Sequence, residues 1–277
     1  MNEYTKIFME AYGDSVFENP LDIKTKGYLI TESMIPVTEG FIGELWNKIV
    51  EIFKKMWNAV VKFFKNIKDY FTKTKAERDK EKNDAMYKEA MKVPFTHKQK
   101  YDHKALMNKF NFANNALHDL FVVLLLLKTE SKTPDKFDQD KFKSSHLNTL
   151  KKYCDVDESG GRLGISIRKE DIDPLEPSEK EVRTSWGEAD SFVKECNTCL
   201  NKYKASIEFT QKLGGGSFDA VADADQFKNS IHFIRGTAMT LCNALMTCNL
   251  SLQHTLRCMQ QEMNAIIKSE DAAISNK

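Results

Sequence analysis

From residue 227 to residue 266, apolar side chains recur at alternating steps of four and three: Phe227, Ile231, Ile234, Ala238, Leu241, Leu245, Cys248, Leu252, Leu256, Met259, Met263 and Ile266. Two consecutive four-residue steps between Cys248 and Leu256 form the one stutter. This is the period of a single continuous helix carrying a narrow apolar seam. At 1.5 Å per residue the seam is roughly 60 Å long. Isolated helices gain little from propensity alone and are stabilised by packing an apolar face. The rest of the chain must therefore supply partners along most of that length.

Two such partners are readable. Val182, Trp186, Ala189, Phe192, Cys196, Cys199, Tyr203, Ile207, Thr210 and Leu213 lie close to a similar repeat, which Gly214, Gly215 and Gly216 end. Ser178 followed by Glu181 has the spacing of a capping box and predicts that this helix starts at 178. Two amphipathic helices joined by a glycine turn fold back on each other, so residues 178–268 are expected to form an antiparallel hairpin. A third helix is predicted over 102–128. Its end, 120–127, is apolar all round and needs enclosure on most sides, which makes it the expected cover for the hairpin.

Upstream lies a different kind of helix. Ile42, Leu45, Trp46, Ile49, Phe53, Met56, Trp57, Val60, Phe64, Ile67 and Phe71 occupy one face, and Lys48, Glu51, Lys54, Lys55, Asn58, Lys62, Lys65 and Lys68 the other. The apolar periodicity predicts an amphipathic helix over 40–73, continued by a charged helical tether up to Pro94. A shorter helix is predicted over 137–153, with a Gly- and Pro-containing connection over 154–177 that has room for a short strand at 163–167. The expected fold is all-α: a long amphipathic N-terminal helix plus a helical bundle containing the C-terminal hairpin. The expected organisation is an acidic leader (1–39), the amphipathic helix and tether (40–93), and the bundle (94–277).

The residue types that carry chemistry are sparse in pattern. The sequence holds no P-loop, G-x-S-x-G, H-E-x-x-H or G-x-G-x-x-G motif. The histidines at 97, 103, 118, 146, 232 and 254 are scattered, none four residues from another. His118 and His232 flank apolar helix faces and read as structural. Cys196-x-x-Cys199 lacks a second pair, and the six cysteines read as small buried hydrophobes rather than a disulfide framework. Asp155, Asp157, Ser159 and Gly160 copy the first half of a calcium-binding EF-hand loop. Position eight is Arg162, however, and position twelve is Ser166 in place of a bidentate Glu, so an acidic glycine turn is expected instead. No enzyme activity, cofactor or metal is expected.

Charge is uneven. The net charge is +1, but the first 39 residues hold three lysines against seven acidic residues, so an acidic head precedes a mildly basic body. Lys62, Lys65, Lys68, Lys73, Lys75 and Arg78 are interrupted by Glu77, Asp79 and Glu81, and no specific nucleic-acid binding is expected. The N-terminus lacks the basic and apolar regions of a secretory signal. The longest uninterrupted apolar run, 120–127, is eight residues, short of the roughly 18–20 of a membrane span.

Immediately before the amphipathic helix a small motif occurs twice, Ile30-Thr31-Glu32 followed by Ser33 and Val37-Thr38-Glu39 followed by Gly40. Taken with the acidic leader and the Lys/Asn/Phe-rich helix, this arrangement resembles internal-head and other virion structural proteins of large tailed bacteriophages. The resemblance covers roughly the first 75 residues. It implies a propeptide removed by a maturation protease after an apolar-x-Glu motif, with Glu32, Ser33, Glu39 and Gly40 as the processing residues. It also implies a non-enzymatic protein inside the particle, made in the host cytoplasm, with other virion proteins or further copies of itself as partners.

A second reading comes from the helix itself. It carries eight aromatic residues and six lysines over 40–71, and a basic face opposite an aromatic one suits the interface of an anionic membrane. In that reading Phe41, Trp46, Phe53, Trp57 and Phe64 meet lipid while Lys54, Lys55 and Lys62 meet its headgroups. The same residues serve equally as a face for packing on the bundle or on a partner helix. A third reading is an intracellular adaptor that self-associates through the hairpin.

Overall fold

The computed structural model describes residues 41–81, 85–133, 136–159, 162–214 and 228–275. Helix accounts for 77% of the interpretable residues, so the fold is mostly helical, as expected for an all-α chain. The order is α1 (Phe41–Glu81), α2 (Ala85–Ala90), β1 (Phe95–Gln99), α3 (His103–Glu130), α4 (Gln139–Phe142), a π-helical turn (Lys143–Leu147), α5 (Asn148–Leu150), β2 (Cys154–Ser159), β3 (Arg162–Ile167), α6 (Lys169–Ile172), β4 (Lys180–Thr184), α7 (Trp186–Gly214) and α8 (Lys228–Ser275).

Helix α8 is the spine. Every seam residue from Ile231 to Ile266 is buried. The most extensive contact of α8 is with α3, and β3, β1, α1 and α7 complete its cover. Helix α3 is, among the described residues, the helix long and apolar enough to cross a membrane by length and composition, and half of its most apolar window is buried. The uninterrupted-run criterion passes it over because Lys109, His118 and Asp119 break the run. Its buried face includes Leu106, Phe110, Ala113, Leu117, Leu120, Leu124 and Leu127. Asp102 caps its start, accepting from the Ala105 N–H at 2.7 Å, which satisfies one orphan donor of the first turn.

Two local expectations are corrected. No helix starts at Ser178: residues 180–184 form β4, which pairs antiparallel with β1, Phe95 opposite Thr184 and His97 opposite Val182. The capping box sits one repeat later. The Ser185 N–H donates to Glu188 Oε2 at 2.8 Å, and the Glu188 N–H to Ser185 Oγ at 3.3 Å, so the helix begins at Trp186. Both serines have a Glu three residues on; the choice is made by Trp186, which packs edge-on to Tyr87 and at 4.9 Å from the Phe95 ring. The connection over 154–177 is also more regular than expected. Residues 154–159 and 162–167 pair as an antiparallel ribbon, Cys154 opposite Ile167 and Asp155 opposite Ser166. Alternation buries Cys154, Leu163, Ile165 and Ile167 against the core, while Asp155 and Asp157 are exposed on the other face, strung along a strand rather than gathered in a calcium loop.

Helix α1 joins the body through its second half. Val60, Phe63, Ile67, Phe71, Thr74 and Arg78 are buried at steps of three and four, a stripe that continues into the segment read as tether. Phe63 and Phe64 both pack on Tyr203 of α7. The contact closes on a buried ion cluster. Arg78 Nη1 donates to Glu270 of α8 at 2.6 Å and Nη2 to Asp190 of α7 at 2.7 Å. Burial opposes the charge of Arg78, but the two carboxylates outweigh it and push its pKa up.

Two carboxylates on one guanidinium leave an excess negative charge, and Glu270 is the group that yields. Burial, reinforced by Asp190 and Asp271, pushes its carboxyl up to about 7 against the pull of Arg78. A carboxyl raised in the folded state contributes stability that is fully present below its unfolded value of 4.5 and is lost as pH rises through about 7. The loss is roughly 3 kcal/mol. Thermal denaturation between pH 4.5 and 8 should show this decline in the wild type. Glu270→Gln, which holds no titrating proton, should flatten it.

Candidate functional site

Burial and polarity conflict most at Glu262. Its side chain is 0% exposed on α8, one step from the apolar seam between Met259 and Met263. Isolated buried carboxylates are costly, so its partners are the question. Glu262 Oε2 accepts two backbone N–H groups, from Lys100 at 2.8 Å and Tyr101 at 3.0 Å. Glu262 Oε1 faces two imidazoles, His97 Nε2 at 3.3 Å and His103 Nε2 at 3.2 Å.

Local structure explains why these groups converge. Phe95 and His97 alternate inward along β1 while Thr96 and Lys98 point outward. The chain then turns through Lys100 and Tyr101, is capped by Asp102, and enters α3 at His103. This corner places two histidines six residues apart on one side, with their rings 6.5 Å between centroids. The corner is itself braced: the Ser178 N–H donates to the Lys100 carbonyl at 2.8 Å. Behind His97, Thr184 Oγ1 of β4 lies 3.2 Å from Nδ1. His103 stacks on Phe192 of α7 with centroids 3.8 Å apart and the rings 14° from parallel. Five elements, β1, β4, α3, α7 and α8, thus fix two rings and one carboxylate.

The electrostatics follow. Burial alone would raise the Glu262 carboxyl, but the contacts from His103 and His97 and the N–H groups of Tyr101 and Lys100 outweigh it and bring it down to about 2. The carboxylate is therefore charged at neutral pH. Its ion-pair partners, among the described residues, are the two histidines. One ligand atom from each of His97, His103 and Glu262 lies within 4.8 Å of the other two. Side-chain exposure is 1% at His97 and 27% at His103, so the cluster meets solvent on the His103 side.

The residues singled out from the sequence lie elsewhere. Glu32, Ser33, Glu39 and Gly40 fall outside the described residues. Phe41, Trp46, Phe53 and Lys55 lie on the backbone of α1, their side chains undescribed. Lys54 and Lys62 are exposed. Trp57 and Phe64 are half-buried and packed on the core, and Phe64 stacks on Tyr203 at 5.3 Å. The six cysteines are all buried free thiols. Burial pushes Cys154, Cys199 and Cys242 up to about 12 and Cys258 to about 11, so they stay protonated and unreactive near neutrality. The His97–His103–Glu262 cluster is what sequence reading missed. One local signal was available: Glu262 stands three residues after Met259 and four before Ile266, a carboxylate on an apolar stripe.

No protein-family model matches the chain, and searches of curated proteins and of solved structures find no match. The cluster is read from its own geometry. Removing the carboxylate should leave two backbone donors and two imidazoles facing an apolar void. Glu262→Ala is expected to cost roughly 3–5 kcal/mol, read as a lowered urea midpoint, and Glu262→Gln, which retains an acceptor for the backbone pair, markedly less.

Proposed function

We propose that the chain is a non-enzymatic structural protein of a bacteriophage virion, internal to the particle and processed after Glu39. The observation that carries this reading is a boundary. Two apolar-Thr-Glu motifs, ending at Glu32 and Glu39, stand between the acidic leader and the amphipathic helix, and the second half of α1 is built into the body. A cut between Glu39 and Gly40 would remove the acidic leader. The mature chain would begin at Gly40, one residue before a helix that carries Phe41, Trp46 and Phe53 in its first turns and is anchored in the body at Phe63, Phe71 and Arg78.

In this reading the first turns of α1, with Phe41, Trp46 and Phe53, meet other virion proteins once the leader is gone. Helices α7 and α8, taken as an antiparallel hairpin joined beyond Gly214, form the rigid platform behind them. Assembly takes place in the host cytoplasm and the product resides in the virion. The rival reading, docking to an anionic membrane through 40–71, is less favoured. Val60, Phe63, Ile67 and Phe71 are enclosed, and lipid contact along that length would require α1 to leave the body.

The test is the N-terminus of the chain as it occurs in purified particles. Intact-mass measurement and N-terminal sequencing should find a mature species starting at Gly40, with Glu39→Gln blocking its appearance. Particles that contain only the chain starting at Met1 would overturn the proposal.

A further inference from the structure

We infer that His97, His103 and Glu262 form a binding site for one divalent late first-row transition ion, with zinc as the natural probe. The inference stands apart from leader processing and depends on the distances. Charge-assisted N–H···O bonds to a carboxylate normally span about 2.7–2.9 Å. Arg78 meets that standard in the same protein, at 2.6 and 2.7 Å. The two imidazoles do not: they stand 3.3 and 3.2 Å from the same carboxylate oxygen, although His97 is buried against Thr184 and His103 is stacked on Phe192. Two donors each about 2.0–2.1 Å from a tetrahedral ion lie about 3.3 Å apart. The two imidazole-to-carboxylate spacings are those of neighbouring ligands around a shared cation.

The donor set agrees. Two imidazole nitrogens and one carboxylate oxygen suit zinc and its neighbours, whereas magnesium and calcium require oxygen-rich shells. Supporting contacts are also in place. A metal-bound imidazole usually donates its other N–H to an oxygen, and His97 Nδ1 has Thr184 Oγ1 at 3.2 Å. The hydroxyl accepts when the ion is bound and donates when it is absent, so the same geometry serves both states. Glu262 Oε2 is tied to the backbone of Lys100 and Tyr101, which leaves Oε1 for the ion. His103, clamped on Phe192, borders solvent and gives the entry path. Three protein ligands leave a fourth position for water on that side.

The partners differ in kind: Glu270 on the same helix is paired with the guanidinium of Arg78, whereas Glu262 Oε1 faces two imidazole nitrogens, a ligand type that late transition ions favour. A divalent ion neutralises the carboxylate and ties β1 and the start of α3 to α8.

The test uses the full chain, freed of metal with a chelator and titrated with zinc chloride by calorimetry, with cobalt(II) as a visible-spectrum reporter. The expected result is one ion per chain and a four-coordinate cobalt spectrum. Affinity should fall at least about 100-fold in His103→Ala and about 10-fold in Thr184→Val, the latter through loss of the outer oxygen. A wild-type readout guards against a variant that fails to fold. Long-range ¹⁵N–¹H spectra should show two of the six histidines shifting to the Nδ1-protonated form on zinc addition. Zinc uptake no greater than that of the His97→Ala/His103→Ala chain, or imidazole spectra unmoved by zinc, would overturn the inference and leave a hydrogen-bonded clasp only.

Discussion

The carboxylate of Glu262 is the constraint on which the other elements are arranged. It is a full charge on the buried face of the longest helix, and satisfying it requires groups that no neighbouring turn of that helix can supply. They come from the corner between β1 and α3: two backbone N–H groups on one oxygen and two imidazoles on the other. Burying a charge is tolerable only when its hydrogen-bonding positions are filled. The position of that corner on α8 is therefore not adjustable, and β1, the pairing with β4 and the start of α3 take their places from it.

Around this joint the remaining stability is mostly apolar. The α8 seam lies against α3 for much of its length, and α7 and α1 close the other side. A second buried polar group, Tyr203, crosses the α7–α8 interface: its hydroxyl donates to Asn249 at 2.7 Å and accepts from Gln253 at 3.0 Å. Phe63 and Phe64 of α1 cover that ring. Helix α1 is thus a member of the body over residues 60–78, from Val60 to the ion cluster of Arg78.

How much of this was legible in the sequence depended on range. The α8 seam was readable residue by residue, because each position reports the period of its own helix, and every seam residue from Ile231 onward is buried. The apolar end of α3 was equally plain. The stripe of α1 was read slightly out of phase: Phe63 and Phe64 are adjacent, so either fits a three-four pattern, and the neighbour α7 selects Phe63 for full burial. Strands β1 and β4 were not legible, because five-residue strands acquire their identity from a partner about 85 residues away; Ser178 and Glu181 mimicked a helix start for the same reason. The cluster at Glu262 was the hardest case. His97 and His103 are 165 and 159 residues from it in sequence, and only the misplaced charge on the seam hinted at it.

The central claim is that the Lys100–Tyr101 corner is locked to α8 through Glu262 and is as stable as the core itself. Native-state hydrogen exchange of the Lys100 and Tyr101 amides addresses it directly. Both should exchange only through global unfolding, with opening free energies within about 1 kcal/mol of those at Leu256 and Met259 on α8. Exchange of either amide more than about tenfold faster than the α8 pair, by local opening of the corner, would contradict it.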